Sequence, residues 1–208
     1  MTSPLRSEPP RVAAAILAGG LATRMGGRSK ALLPFDGNLL IDRQILALAP
    51  IFPDILIATA PSRDHAPFLA RGLAIVTDRH PGMGPLAGLH AALVESPAPW
   101  LFAVACDMPF LDADLIAGMA ALAAPLVEAD ALVPRVRGRA EPLHAFYRTA
   151  TAPIAERCLL EGARAMSDLL ARVRVRYIDE EALPALAATK SFVNLNDPGD
   201  VSAAREAR

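Results

Sequence analysis

The run Val12-Ala13-Ala14-Ala15-Ile16-Leu17, stopped at once by Ala18-Gly19-Gly20, decides the fold class. Six apolar residues in a row fit a strand buried on both faces or a piece of core helix, and periodicity alone does not separate the two. The glycines do, because a helix would not be stopped so early. Leu39 to Ala49 then carries apolar residues at helical spacing and ends at Pro50. Asp54 to Thr59 and Leu73 to Thr77 read as the second and third strands, Gly88 to Val94 as a helix, and Trp100 to Ala105 as a fourth strand. Asp112 is placed as the N-cap of a helix running to Ala123, since its carboxylate can accept from the open amides of the first turn. Strands alternating with helices imply right-handed crossovers. The expectation is an α/β domain with a doubly wound, mainly parallel sheet and helices on both faces.

Beyond Asp130 the rhythm changes. Ala131 to Pro134 and Leu143 to Tyr147 flank the basic, turn-rich Arg135 to Glu141, a pattern of a hairpin or of two strands bracketing a loop. Arg135, Arg137 and Arg139 alternate there, either as a solvated strand edge or as contacts for an acidic acceptor or partner. Helices are expected around Thr149 to Leu160 and Ala165 to Val173. Val175 to Ile178 and Ser191 to Val193 are expected as short closing strands, with a final helix after Asp197-Pro198. No linker divides the chain, so residues 12–208 read as one domain. Met1 to Arg11, polar and holding Pro4, Pro9 and Pro10, reads as a frayed tail.

Composition narrows the function. A length of 208 residues with 53% apolar content is enough for one full core, and a net charge of −1 argues against disorder. The same balance gives no broad basic field, and aromatic residues are only 5%, so no nucleic-acid partner is expected. No apolar run approaches the roughly 20 residues of a membrane helix, and the leading segment lacks the apolar stretch of a signal peptide. Cys106 and Cys158 lie far apart without a CxxC pairing, which gives neither a disulfide framework nor a zinc site and suits a reducing cytoplasm.

Three segments carry chemistry. The first is Leu17-Ala18-Gly19-Gly20-Leu21-Ala22-Thr23-Arg24-Met25-Gly26-Gly27-Arg28-Ser29-Lys30, directly after the first strand, where open α/β sheets bind ligands. Its glycines let the backbone turn tightly and aim N–H groups at an anion, and Arg24, Arg28 and Lys30 add positive charge. A triphosphate needs both. The segment matches neither the Walker A loop nor GxGxxG. The second is Ala103-Val104-Ala105-Cys106-Asp107-Met108-Pro109, which puts a carboxylate at the end of an apolar strand. A hard cation with phosphate oxygens would offset the cost of an isolated charge there, making Asp107 the candidate metal ligand; the alternative is a turn or cap before Pro109. Cys106 has no basic neighbour in sequence and reads as a buried, inert thiol. The third, Thr77 to Leu89, leads through two Gly-Pro-type turns into a helix N-terminus suited to an anion or polar ligand. Asp78 there either accepts from a base or sugar or closes a turn, and His80 and His90 read as surface or packing residues.

Together these segments resemble the molybdenum cofactor guanylyltransferase family (MobA-like), from LAGGLATRMGG to the closing Phe192-Val193-Asn194-Leu195-Asn196-Asp197-Pro198. The resemblance implies a Rossmann-like fold and a cytoplasmic, Mg²⁺-dependent transfer of GMP from GTP onto molybdopterin that carries molybdenum, with release of pyrophosphate. It implies that Leu17, Ala18, Gly19 and Gly20 hold the nucleotide through backbone contacts, that Lys30 sits on the phosphates, and that Asp78 contacts the nucleotide. Asp107 would hold Mg²⁺, Arg24 and Lys30 would neutralise developing charge, and Asn194 and Asn196 would belong to the acceptor side. Transient contact with proteins that deliver or receive the cofactor is also expected. Two positions depart from the family pattern: Ser29 stands where an acidic or amide residue is usual, and Ala58-Thr59-Ala60 lacks an asparagine that many members carry. The rivals are a cytidylyltransferase acting on the same cofactor, a sugar-phosphate nucleotidyltransferase, and a non-catalytic nucleotide-binding module of the same fold. Ala18-Gly19-Gly20, in place of the Ala-Ala-Gly usual in the cytidylyl enzymes, favours GTP by leaving room for a purine.

Overall fold

The computed structural model describes residues 11–19, 21–22, 28–62 and 64–195 of the chain. The opening run is a strand, β1 (Val12–Leu17), flanked in parallel by β2 (Ile55–Thr59) on one side and β4 (Trp100–Ala105) on the other. β3 (Ala74–Thr77) lies parallel to β2 at one edge. Beyond β4 the direction reverses. β7 (His144–Arg148) pairs antiparallel with β4 and with β5 (Ala131–Val136), and β5 takes β8 (Val175–Ile178) in parallel. The two-residue strand β6 (Arg139–Ala140) folds back on β5 through a turn at Arg137 and Gly138, with φ of 51° and 76°. The hairpin expected around Arg135 to Glu141 is therefore present.

β1 is buried on both faces, which explains its unbroken apolar sequence. Ala13, Ala15 and Leu17 pack with α3 (Pro85–Glu95), α5 (Ala152–Leu160) and α6 (Met166–Leu170). Ala14, Ile16 and Ala18 pack with α1 (Leu40–Leu48) and α4 (Ala113–Ala123) on the other face. The doubly wound arrangement follows from that alternation. Phe102 anchors the second layer, its ring 5.6 Å from Phe52 and 4.9 Å from Phe146.

Some boundaries differ from the sequence reading. α3 begins three residues before Gly88, because Pro85 takes the first helical position, where a missing N–H costs nothing. α6 ends at Leu170, short of Val173. Two one-turn helices, α2 (Ala66–Leu69) and α7 (Ala185–Ala188), have no counterpart in that reading. Ser191 to Val193 forms no strand. The Ser191 amide donates to Thr189 Oγ1 and the Val193 amide to the Lys190 carbonyl, so local bonds replace a sheet ladder. Arg11, assigned to the leading tail, donates to the Asp54 carboxylate at 2.9 Å, while residues 1–10 and the expected helix after Pro198 lie outside the described residues. Asp112 caps α4 as expected, accepting from the Leu115 amide at 3.0 Å.

Gly84 caps α3 with φ 74° and ψ −164°, a region open in practice only to glycine, and a Cβ there would lie 2.9 Å from the Arg164 carbonyl oxygen. Gly138 shares the positive φ but has nothing within 4 Å of such a Cβ. Gly84→Ala is thus expected to destabilise by about 1–3 kcal/mol and Gly138→Ala by less. Thermal or urea unfolding of the two variants side by side checks this; equal losses would mean that the contact with Arg164 is easily relieved.

Candidate active site

Every parallel strand of the sheet ends on one edge, and antiparallel β7 begins there. The chain walks outward from β1 to β2 and β3 and then returns to place β4 on the opposite side of β1, so the crevice between β1 and β4 is a topological switch point. A cleft of about 460 Å³ opens along this edge. Leu17 ends β1 and Gly19 follows it, Thr59 ends β2, Asp78 follows β3, Asp107 follows β4, and Gly84 and Gly88 come from the start of α3.

The segment after β1 returns on itself through an antiparallel ribbon, Leu21–Ala22 with Arg28–Ser29, and delivers Lys30 at the start of a single 3-10 turn. Lys30 Nζ lies 3.0 Å from Asp107 Oδ2, across 77 positions of sequence, with the two side chains 17% and 18% exposed. The carboxylate expected to need a cation thus has one from the protein itself. Gly20 and Arg24 lie outside the described residues, as does Asn196. Ala18 is buried, its amide bonded to the Ala58 carbonyl at 2.7 Å, so among the described residues that follow β1 Gly19 is the one that faces the cleft.

Asp78 is nearly buried at the rim, and its Oδ1 accepts from the His80 amide at 2.6 Å, closing an Asx turn. The turn reading therefore holds, and Asp78 also lines the cleft. His80 and His90 lie with their rings 5.5 Å apart behind this turn; burial lowers the His90 pKa despite the nearby Glu156 carboxylate. Cys106 is buried beside Asp107, and loss of solvation together with that carboxylate pushes its thiol up to about 12. The reading of an inert thiol fits. Arg135 stacks on the Tyr177 ring at 3.7 Å, and the Arg137 amide bonds Glu180, so the basic hairpin is held by the end of β8 rather than by the cleft.

The loop from Ala105 to Asp112 is held from several sides. Gln44, buried in α1, donates through Nε2 to the carbonyls of Ala105 and Met108 at 2.7 and 3.1 Å, and Arg43 Nε reaches the Pro109 carbonyl at 3.3 Å. Gln44 is absent from the sequence reading. Its signal is an amide within the apolar stripe Leu40, Ile41, Leu48 of one helix. Asn194 is exposed on the closing segment, one residue before Leu195, whose amide donates to the Asp107 carbonyl at 2.9 Å. The family motif thus reaches the site through its backbone.

The chain matches the model of the MobA-like NTP transferase domain over residues 14–177. It belongs to that family. A probable molybdenum cofactor guanylyltransferase of Carboxydothermus hydrogenoformans is 35% identical, covering 89% of this chain and 91% of that one. A molybdenum cofactor guanylyltransferase of Vibrio cholerae is 31% identical over 90% and 88%. The crystal structure of molybdopterin-guanine dinucleotide biosynthesis protein A from Archaeoglobus fulgidus superposes with a TM-score of 0.79 at 29% identity, covering 94% of this chain and 97% of the other. This member of the MobA-like family is accordingly a nucleotidyltransferase with one Rossmann-like, mainly parallel sheet. Among the described residues no helix is long and apolar enough to cross a membrane.

His144 begins β7 beside the cleft and is fully buried, with Nε2 2.8 Å from Ser191 Oγ. Burial lowers its pKa from 6.5 to about 4. Between those values the unfolded chain holds a proton that the folded chain refuses, so stability falls as pH drops through that window, by on the order of 3 kcal/mol in total from this group. Chemical denaturation of wild type and His144→Gln from pH 7 to pH 4 is expected to give a shallower acid slope for the variant; parallel slopes would rule the histidine out as the cause.

Proposed function

We propose that the protein transfers GMP from GTP to the terminal phosphate of molybdopterin carrying molybdenum, with release of pyrophosphate. The observation that carries this reading is the Lys30–Asp107 pair at the head of a cleft that also holds Gly19, Asp78 and the N-terminus of α3. The names of the relatives point the same way. A cation and a carboxylate side by side at a switch point suit a triphosphate with its metal. Lys30 takes phosphate oxygens, Asp107 takes the cation, and each gives up the other as the ligand arrives.

Among the described residues no group of three or more His, Cys, Asp or Glu side chains is disposed around a metal, so a cage of protein ligands alone is lacking. Mg²⁺ does not require one. It is held by one or two carboxylates, with phosphate oxygens and water supplying the rest, and Asp107 fits that role. The ion would neutralise charge on the α-phosphate region and the leaving pyrophosphate.

The remaining chemistry is positioning. A terminal oxygen of the acceptor phosphate attacks the α-phosphorus of GTP, the bond to the bridging oxygen breaks, and pyrophosphate leaves with that pair of electrons. The acceptor is already anionic above its second pKa of about 6, so no general base is needed. That fits a site where Cys106 stays protonated, at about 12, and His144 is fully buried and does not line the cleft. Lys30, with Arg24 from the same loop, stabilises the charge that moves onto the leaving group. Leu17, Ala18, Gly19 and Gly20 cradle the nucleotide with backbone groups, Asp78 contacts it, and Asn194 with Asn196 faces the acceptor. The cytoplasm is the expected setting, with transient contact to proteins that deliver or receive the cofactor.

Lys30→Ala and Asp107→Ala are each expected to lower guanylyl transfer by roughly 100-fold or more, the scale of losing one transition-state donor. Steady-state turnover at saturating Mg·GTP measures this, and near wild-type rates would sink the assignment. Base choice is tested separately by thermal shift with Mg²⁺ and GTP, CTP, ATP or UTP, where GTP should stabilise most. Among the described residues a Cβ at Gly19 meets nothing within 4 Å. Gly19→Ala should therefore leave the ligand-free melting temperature unchanged and reduce the shift produced by GTP. A lower melting temperature without nucleotide would make Gly19 a folding requirement instead.

A further inference from the structure

Residues 189–195 have neither helix nor strand to hold them, yet Ser191 and Leu195 within them are buried. They run in antiparallel sense beside the loop after β4 and are tied to both of its ends. At the near end the Leu195 amide donates to the Asp107 carbonyl at 2.9 Å. At the far end the Asp112 amide donates to Ser191 Oγ at 3.1 Å, and Thr189 Oγ1 bonds Asp112 Oδ2 at 3.4 Å. Ser191 Oγ also meets His144 Nε2 at 2.8 Å, joining the segment to a central strand of the sheet. The His144 ring is fixed in turn, with centroids 5.1 Å from Phe102 and 4.5 Å from Phe192.

We infer that His144 and Ser191 are positioning residues: their buried hydrogen bond latches residues 189–195 onto β7 and, through that segment, holds the Asp107 loop and Asn194 in place for the acceptor. One serine oxygen serves both partners, accepting from the Asp112 amide while sharing its remaining proton or lone pair with the imidazole. Water does not reach Ser191 or His144, so breaking the bond leaves His144 Nε2 unsatisfied and Ser191 Oγ with the Asp112 amide alone, and the segment is freed from the strand that registers it. The tie at Asp107 uses a backbone carbonyl, one residue's length from the carboxylate that pairs with Lys30. Movement of the segment therefore moves the loop that carries that carboxylate. The roles of Asp107 and Asn194 rest on the proposed guanylyl transfer; the latch itself does not.

The test uses the full chain with His144→Phe, which keeps the ring packing and removes the nitrogens, and His144→Gln, which keeps an amide for Ser191. Losing the bond is worth about tenfold. In His144→Phe, amides of residues 107–112 and 189–195 should exchange hydrogen about tenfold faster, while those of β1 keep their wild-type rates. The acceptor KM should rise or kcat should fall about tenfold, Kd for Mg·GTP should rise as the Asp107 loop is freed, and His144→Gln should recover most of both losses. Unchanged exchange in 189–195, unchanged acceptor kinetics, or an equal rise of exchange in β1 would each overturn the inference. If His144→Phe does not fold, Ser191→Ala carries the same expectations with a smaller change to the core. If the wild-type protein transfers no GMP, the proposed function fails, and the latch is decided by the exchange rates alone.

Discussion

The site depends on one ion pair. Lys30 and Asp107 leave neighbouring strands, β1 and β4, whose last paired residues are Leu17 and Ala105, and each is mostly withdrawn from water. A part-buried carboxylate without a partner would be expensive, and so would a part-buried ammonium. Placed 3.0 Å apart, each offsets the other's cost and keeps the crevice between the strands charged but balanced. On the proposed reaction the pair is also a reservation. A polyphosphate and its cation arrive with opposite charges and take the two partners separately, so each buried charge exchanges one counter-charge for another on loading. A site of two lysines or two aspartates could not do that without moving protons.

What makes the pair dependable is the loop that carries Asp107. Parallel strands with both faces covered are the stiffest part of this fold, but the active edge lies where they end. The loop from Ala105 to Asp112 is therefore supported from outside the sheet. Gln44 takes two of its carbonyls, Arg43 a third, and the Leu195 amide and the Ser191 hydroxyl hold its two ends. Catalysis by positioning needs such support, because small displacements of a charge cost large factors in rate. The supporting groups are ordinary amides and hydroxyls, none of which touches the cleft chemistry itself.

This division explains what the sequence disclosed. The strands were legible because burial on both faces leaves an unmistakable run, as in Val12 to Leu17 and Trp100 to Ala105. Asp112 was legible because a cap acts on its own next turn. Asp107 is legible by its position at a strand end and Lys30 as a cation of the glycine loop after β1, yet their contact is not, since nothing in a one-dimensional pattern joins residues 77 apart. Gln44 was passed over because a single amide in an apolar helix stripe reads as tolerance rather than as a clamp. Ser191 to Val193 was misread as a strand for the opposite reason. Its composition allows one, but the amides that would form a ladder are already engaged by Thr189 and Lys190, and only the fold reveals that.

The glycines separate what the fold requires from what a ligand requires. Gly84 is demanded by the backbone: its dihedral angles exclude a side chain, and the Arg164 carbonyl occupies the space. Gly19 meets neither condition among the described residues, for it has no left-handed φ and open space where a Cβ would stand. A residue type that the fold does not enforce, on the wall of the main cleft, calls for an explanation from outside the chain. On the proposed guanylyl transfer, the nucleotide supplies one. Room at Gly19 is useful only to something that enters the cleft after folding, and a base wider than a pyrimidine is the ligand that would use it.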